Sequence, residues 1–266
     1  MRFLLGNIND FDHKTDAIDL NNLLELDKWI LEEFKDLQKD VLEHYESYSY
    51  HLVVQRIHNF CVNQLGGVYL DIIKDRQYTT QQNSEIRRSA QTAMKLMIDQ
   101  LVILVAPILS FTAEEIWQND ADLKANKASV FLAELDSIPD FDSNLDHENW
   151  SRLLEIKDNV NQKIEESRNA GEIKGSLDTE IELTVNTSDF QLLKNLSTEL
   201  HFFFIVSACN LVEGDNLEVR IKQSTFQKCT RCWHRNNTVS KSLKHPELCN
   251  RCELNIDGAG EDRKFA

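Results

Sequence analysis

The chain has 266 residues and carries a net charge of −15, from 29 basic and 44 acidic side chains. At roughly 100–200 residues per domain that suggests about two domains, and 41% hydrophobic with 27% charged residues is ordinary globular usage, which excludes a wholly disordered chain. Only 3 Pro and 8 Gly disfavour a turn-rich sandwich or barrel and favour long helices, and the acidic balance excludes a uniformly basic nucleic-acid coat but not a local basic site.

Residues 1–119 read as a helical bundle. The opening residues hold a brief apolar stretch that turns acidic and has no small-residue cleavage site, so no signal peptide is expected. Leu26, Ile30, Phe34, Leu37, Val41, Tyr45 and Tyr48 step by three and four, which keeps one helix face apolar. A second stripe runs through Val53, Ile57, Phe60/Cys61, Leu65, Val68 and Ile72, with Ser49 as N-cap and an interruption at Gly66-Gly67. A third runs Ile86, Ala90, Met94, Met97, Leu101 and Leu104, capped by Ser84 and ended or kinked by Pro107. Thr112 to Glu115 reads as a capping box that opens a short helix with Ile116 and Trp117. The run Leu101 to Leu109 is the longest apolar candidate and is far short of about 18 residues, so no membrane span is expected and the location implied is the cytoplasm.

Residues 120–148 form an acidic connector, with a short strand predicted at Ser129 to Leu132. Residues 149–223 read as a small α+β domain. Leu153, Ile156, Val160 and Ile164 give a helix, Gly171 to Gly175 a loop, and the alternation from Leu177 to Val185 a half-buried strand. A helix over Ser188 to Glu199, an apolar strand-like run Phe202 to Val206 and a strand at Leu217 to Lys222 complete it. The predicted fold is mainly α: a helical bundle, then the α+β domain, then a four-cysteine module within residues 224–266.

That module has the most specific pattern in the chain. Cys229 and Cys232 form one Cys-x-x-Cys pair, and Cys249 and Cys252 form another, sixteen residues further on. Two intervening residues make a tight knuckle that brings both sulfurs to one metal, and two knuckles complete a tetrahedron. A closed four-sulfur set leaves no open coordination position, so the expected metal is one structural zinc ion. So small a module has too few apolar residues to fold without a cross-link or metal. His234 and His245 are the alternative ligands. Cys61 and Cys209 read as small buried hydrophobes, the latter following an apolar strand, and the other histidines show no paired spacing.

Charge singles out the same module. Between Phe226 and Cys252, Lys228, Arg231, Arg235, Lys241, Lys244 and Arg251 face one acid, Glu247, and Trp233 follows the first knuckle directly. Basic groups neutralise phosphates and an aromatic face stacks on an unpaired base. A solvated surface and a packing tryptophan are the plainer alternative.

Five stretches carry a resemblance: Arg2 to Phe11, Tyr69-Leu-Asp-Ile-Ile-Lys-Asp-Arg-Gln-Tyr78, Ala106 to Trp117, Lys228-Cys-Thr-Arg-Cys-Trp-His234 with Cys249-Asn-Arg-Cys252, and Arg263-Lys-Phe-Ala266. Together they resemble the C-terminal part of bacterial isoleucyl-tRNA synthetases across essentially the whole chain. The first and third are shared more loosely with the valine, leucine and methionine enzymes, and the cysteine module selects isoleucine. Val68 departs from the aromatic more usual before Tyr69.

The resemblance implies an anticodon-binding domain at 1–119, a junction domain and a zinc domain that contacts isoleucine tRNA. It places Arg231 and Trp233 against the anticodon, and Arg56 and Arg76 lie in the bundle's most family-like stretches, where RNA contact competes with structural pairing. Lys74 and Asp75 are candidates for local helical ion pairs. The family's His-Ile-Gly-His and Lys-Met-Ser-Lys-Ser motifs do not occur in these residues. The resemblance therefore implies a monomeric fragment, inactive alone, whose longer parent supplies the catalytic and editing domains and uses ATP and magnesium. Two other readings compete: a free-standing zinc-dependent interaction module, and a formamidopyrimidine-DNA glycosylase, which ends in a similar finger but needs an N-terminal Pro-Glu pair where this chain has Met-Arg-Phe.

Overall fold

The structure is a computed structural model that describes residues 1–196 and 198–266. The chain divides into two compact units, Met1–Asp71 with Arg88–Asp142, and Ile72–Arg87 with Ser143–Ala266. Among the described residues, no helix is long and apolar enough to cross a membrane.

The first unit is helical. It contains α1 (Arg2–Asn7), α2 (His13–Asp16), α3 (Glu25–Glu46), α4 (Tyr50–Asn59) and a π-helix at Phe60–Tyr69. Parts of α5 (Leu70–Thr79) and α6 (Glu85–Val105) belong to it, followed by α7 (Ser110–Asn119) and α8 (Ala121–Asn126). Leu26, Ile30, Phe34, Leu37 and Val41 are all fully buried along α3, as their spacing predicts. Ala90, Met94, Met97, Leu101 and Leu104 are buried along α6. A buried polar chain crosses this core: Tyr69 Oη donates to Asp27 (2.7 Å), Ser89 Oγ donates to the same carboxylate, and Leu24 N–H donates to Ser89 Oγ (2.9 Å).

Several local expectations give way. The α3 stripe stops short of Tyr48, which lies in the following turn at φ +54° with its side chain exposed. Gly66-Gly67 does not interrupt a helix but sits inside the π-helix, where the wider turn brings carbonyls close. A Cβ on Gly66 would lie 2.9 Å from the Cys61 carbonyl oxygen, and one on Gly67 3.1 Å from that of Val62. Phe60 and Leu65 of the predicted stripe are buried, but the wider turn buries Tyr69 in place of Val68. Ser49 occupies the N-cap position of α4 without a side-chain cap bond, and the Ser84 hydroxyl donates to the Gln81 carbonyl (2.9 Å).

Thr112 opens no capping box, because α7 already begins at Ser110. The expected strand at 129–132 is a 3-10 turn, Val130–Leu132. Glu114 explains it: its Oε2 accepts from Ser129 Oγ (2.9 Å) and Val130 N–H (3.0 Å), curling the segment while Phe131 and Leu132 stay exposed.

The second unit contains α9 (His147–Asn169), β1 (Thr179–Val185), α10 (Thr187–Lys194), α11 (Leu200–Phe203), β2 (Ala208–Glu213), β3 (Glu218–Gln223) and α12 (Asn250–Asp257). Asp146 caps α9 by accepting from Asn149 N–H (2.8 Å), and Trp150, Leu153, Ile156, Val160 and Ile164 are its buried face. The sheet has the order β2-β1-β3, with β1 parallel to β2 and antiparallel to β3. Ile181, Leu183 and Val185 alternate inward along β1. The parallel pairing requires a crossover, which the α10 and α11 segment supplies. The helix predicted to Glu199 is regular to Lys194, and Ser197 lies outside the described residues. The run Phe202 to Val206 is not a strand: α11 ends at Phe203 and Ile205 adopts φ +56° before β2 begins. Cys209 is therefore within β2, half-buried, and burial pushes its thiol up to about 12.

Candidate metal centre and nucleic-acid interface

The two knuckles are built differently. The first closes a small hairpin: Lys228 and Arg235 form a β-bridge, and Cys229 N–H donates to the His234 carbonyl (2.9 Å). Its turn brings Trp233 N–H onto the Cys229 carbonyl (3.0 Å) and holds Trp233 at φ +67°. The second knuckle opens α12, with Cys249 at the N-cap position and Cys252 in the first turn. Cys249 N–H points at Cys229 Sγ (3.4 Å), which joins the knuckles.

The sulfurs of Cys229, Cys232, Cys249 and Cys252 all lie within 4.8 Å of one another, and all four residues are buried. Four sulfurs each about 2.3 Å from one zinc ion stand about 3.8 Å apart in a tetrahedron. Cys232 Sγ and Cys249 Sγ are 3.8 Å apart, so the set fits a zinc ion. Hydrogen bonds within the cluster hold the Cys229 thiol far below its ordinary range and push those of Cys232 and Cys252 above it, so the four thiols act as one set. Neither histidine joins the cluster among the described residues. His234 is buried with Nδ1 3.2 Å from the Cys232 carbonyl oxygen, and His245 Nε2 pairs with Asp257 (2.7 Å). His201, edge-on to His234, is kept neutral: burial first, then the neighbouring His234, pulls it down to about 3.

The module's positive surplus is partly consumed within the second unit. Arg235 pairs with Asp178 (2.7 Å), Lys244 with Asp257 (2.7 Å), and Arg251 makes a two-pronged contact with Asp75 (2.7 and 2.8 Å). Arg231 lends Nε and Nη2 to the Thr79 carbonyl at the end of α5 (3.4 and 3.3 Å) and is otherwise exposed. Trp233 is 60% exposed, so it is not a packing residue, and Lys228 Nζ stands 5.6 Å from its ring centroid. An exposed indole on a strained knuckle beside an ammonium group presents a stacking face and a phosphate partner side by side.

The two bundle arginines fare differently. Arg56 Nε pairs with Asp40 (2.7 Å) and is half-buried. Arg76 is fully buried and donates to the Ile86 carbonyl (3.1 Å). Spacing gave no hint of Asp75. It binds Arg251 and Arg263, 176 and 188 residues away. Burial pushes its carboxyl up, but Arg251 and then Arg263 outweigh that and hold it well below the usual range.

The described residues form a helical unit and a second unit that carries a small mixed sheet and the four-cysteine cluster. The family description "anticodon-binding domain of tRNA ligase" matches residues 27–183, more than half of the chain. A second, the zinc finger found in FPG and IleRS, matches residues 226–255 and thus takes in both knuckles. The chain belongs to the anticodon-binding domain family of tRNA ligases. It is 42% identical over 277 residues to the isoleucine–tRNA ligase of Saccharophagus degradans, covering all of this chain and 30% of that protein. It is 43% identical over 280 residues to that of Hahella chejuensis, again covering all of this chain and 30% of the relative. Against the Legionella pneumophila (strain Lens) enzyme it is 42% identical over 276 residues, with 99% and 29% covered. The chain spans about 30% of the length of these relatives.

Proposed function

We propose that this chain is the RNA-reading portion of an isoleucine–tRNA ligase. In this reading residues 1–119 bind the anticodon region of isoleucine tRNA, 120–148 connect, 149–223 form the junction, and 224–266 carry the zinc module. Cys229, Cys232, Cys249 and Cys252 hold one zinc ion, whose contribution is to cross-link the two knuckles. Loop bases are suitable targets because their faces and edges are open. Trp233 stacks on one such base, Lys228 and the free edge of Arg231 meet phosphate, and Arg56 contributes where its pair with Asp40 opens. The full-length ligase would join isoleucine to tRNA with ATP and magnesium through an aminoacyl-adenylate, as a monomer in the cytoplasm. The observation that carries the reading is the anticodon-binding match and the zinc-finger match following one another in one chain, with an indole left exposed at the knuckle.

The test is binding of isoleucine tRNA to the zinc-loaded chain at several salt concentrations. Stacking one base on an aromatic is worth about 1–3 kcal/mol. Trp233→Ala should therefore weaken binding by roughly tenfold to a hundredfold while zinc stays at one per chain. Binding that is indifferent to salt, or equal for a tRNA with a changed anticodon, would instead favour a zinc-dependent interaction module with no role in tRNA selection.

A further inference from the structure

Asp75, Arg251, Glu261 and Arg263 form a closed ring of alternating charge. Asp75 meets Arg251 at 2.7 Å, Arg251 meets Glu261 at 3.0 Å, Glu261 meets Arg263 at 3.0 Å, and Arg263 returns to Asp75 at 2.5 Å. The ring is shielded from solvent: the Arg263 side chain is 1% exposed and those of Glu261 and Asp75 are 10% and 14%. Phe202 closes one side, its ring centroid 3.5 Å from the Arg263 guanidinium and 5.0 Å from that of Arg251. Two cations and two anions balance, so each charge is compensated only while all four are present.

The four members come from three separate pieces of the second unit. Asp75 lies on the last turns of α5 and Arg251 in the second knuckle. Glu261 and Arg263 belong to the segment after α12, and that segment is itself tied down. The Glu199 carboxylate accepts the backbone N–H groups of Lys264, Phe265 and Ala266 (2.9, 3.1 and 2.9 Å), and Phe265 stacks on Trp150 with centroids 5.3 Å apart. The end of α5 also receives the first knuckle: Arg231 donates to the Thr79 carbonyl, where the helix dipole favours a cation, and His234 Nδ1 lies 3.9 Å from Asp75. Both knuckles therefore register on Asp75 and Thr79, one helical turn apart.

We infer that Asp75 is a positioning residue for RNA recognition: it touches no RNA, but through Arg251 and Arg263 it fixes where the zinc module presents Trp233, and residues 261–266 act as the strap that completes this seat. The four-cysteine cage makes the module rigid internally, and the charge ring sets its aim. The binding readout rests on the RNA reading proposed above, whereas amide exchange tests the seat independently.

The experiment uses the full zinc-loaded chain with Asp75→Asn, Arg263→Gln and the double variant. Each single change leaves the ring with an unbalanced charge, whereas the double change leaves the neutral pair Arg251 and Glu261. Both singles should keep one zinc per chain, speed amide exchange in residues 227–258 by about tenfold or more, and weaken isoleucine tRNA binding by about two- to thirtyfold. The double variant should recover part of both losses, a rescue that simple loss of packing would not produce. Should Asp75→Asn fail to fold, Arg263→Lys, which keeps the charge but not the two-pronged geometry, gives the same two readings. Unchanged exchange and unchanged binding in the singles, or a double variant that equals the sum of its parts, overturns the inference. A wild-type chain that binds no tRNA but shows the exchange pattern overturns the RNA reading and the positioning role built on it, leaving the ring as a structural seat.

Discussion

Leu26, Ile30, Phe34, Leu37 and Val41 fill one face of α3, whereas residues 226–258 bury only Val239 and Leu248 as apolar partners of the four cysteines. The bundle is held by area removed from water, at about 25 cal/mol per Å² of apolar surface. The module has no such reserve, and it substitutes a metal cage inside and balanced charges around it. The two strategies answer differently to change. A hydrophobic core loses stability in proportion to the atoms removed, and its neighbours partly relax into the gap. A cage or a charge ring loses its function when any one member goes, because what remains is uncompensated.

Removing the metal should break this contrast most widely. Structural zinc supplies on the order of 10–16 kcal/mol in small finger peptides. Chelation, or Cys249→Ser, should therefore release about one zinc per chain and expose the amides of residues 226–258 to exchange, while the helices of the first unit persist by circular dichroism. Freshly purified, reduced chain that contains no zinc by elemental analysis would remove the basis of the contrast. The converse change is Phe34→Ala. Phe34 is fully buried and meets Phe60 edge-on with centroids 5.7 Å apart. The loss expected is about 3–5 kcal/mol, read as a lower urea midpoint for the helical signal with zinc content unchanged. If zinc is lost in step with that midpoint, the two regions do not have separate sources of stability.

How much of this was legible in the sequence follows the same division. The α3 stripe was readable because helical burial repeats every three to four residues, and the knuckles because metal ligation fixes a short spacing. The π-helix was not, since its wider turn buries Tyr69 where the stripe pointed to Val68, without altering composition. The segment at 129–132 misled because Val130, Phe131 and Leu132 look like a strand, yet only Val130 is buried and Glu114 curls the backbone. The charge ring was invisible for a third reason. Its members are separated by up to 188 residues, and no local period connects Asp75 to Arg263. Trp233, directly after the first knuckle in sequence, is exposed, whereas buried Arg76 shows that proximity to a family-like stretch does not make a side chain accessible.

Two aspartates sharpen the comparison further, because burial acts on both and their neighbours decide the outcome. Asp75 faces two guanidinium groups and is held well below the ordinary carboxylate range. Its contribution to stability is thus present above about pH 4 and is lost as the pH falls below that. Asp99, in the first unit, is raised to about 6. Burial is the largest cause; Lys95 opposes it at 2.8 Å, Asp120 adds repulsion, and His13 opposes weakly. Here the sign reverses. Between the unfolded value near 4 and about 6 the folded chain holds a proton that the unfolded chain has released. Stability from this group therefore falls as the pH rises through that window, by about 3 kcal/mol, and stays lower above it. Asp99→Asn should flatten the pH dependence of the helical unfolding midpoint between about pH 4 and pH 6. Lys95 keeps a partner in that variant, since Asp120 lies 3.1 Å from its ammonium group, so the substitution removes a titrating carboxyl without stranding a cation. An unaltered slope in Asp99→Asn would mean that Lys95 already stabilises the charged carboxylate enough to cancel its burial. In that case the bundle too would rely on balanced charge where it buries an acid.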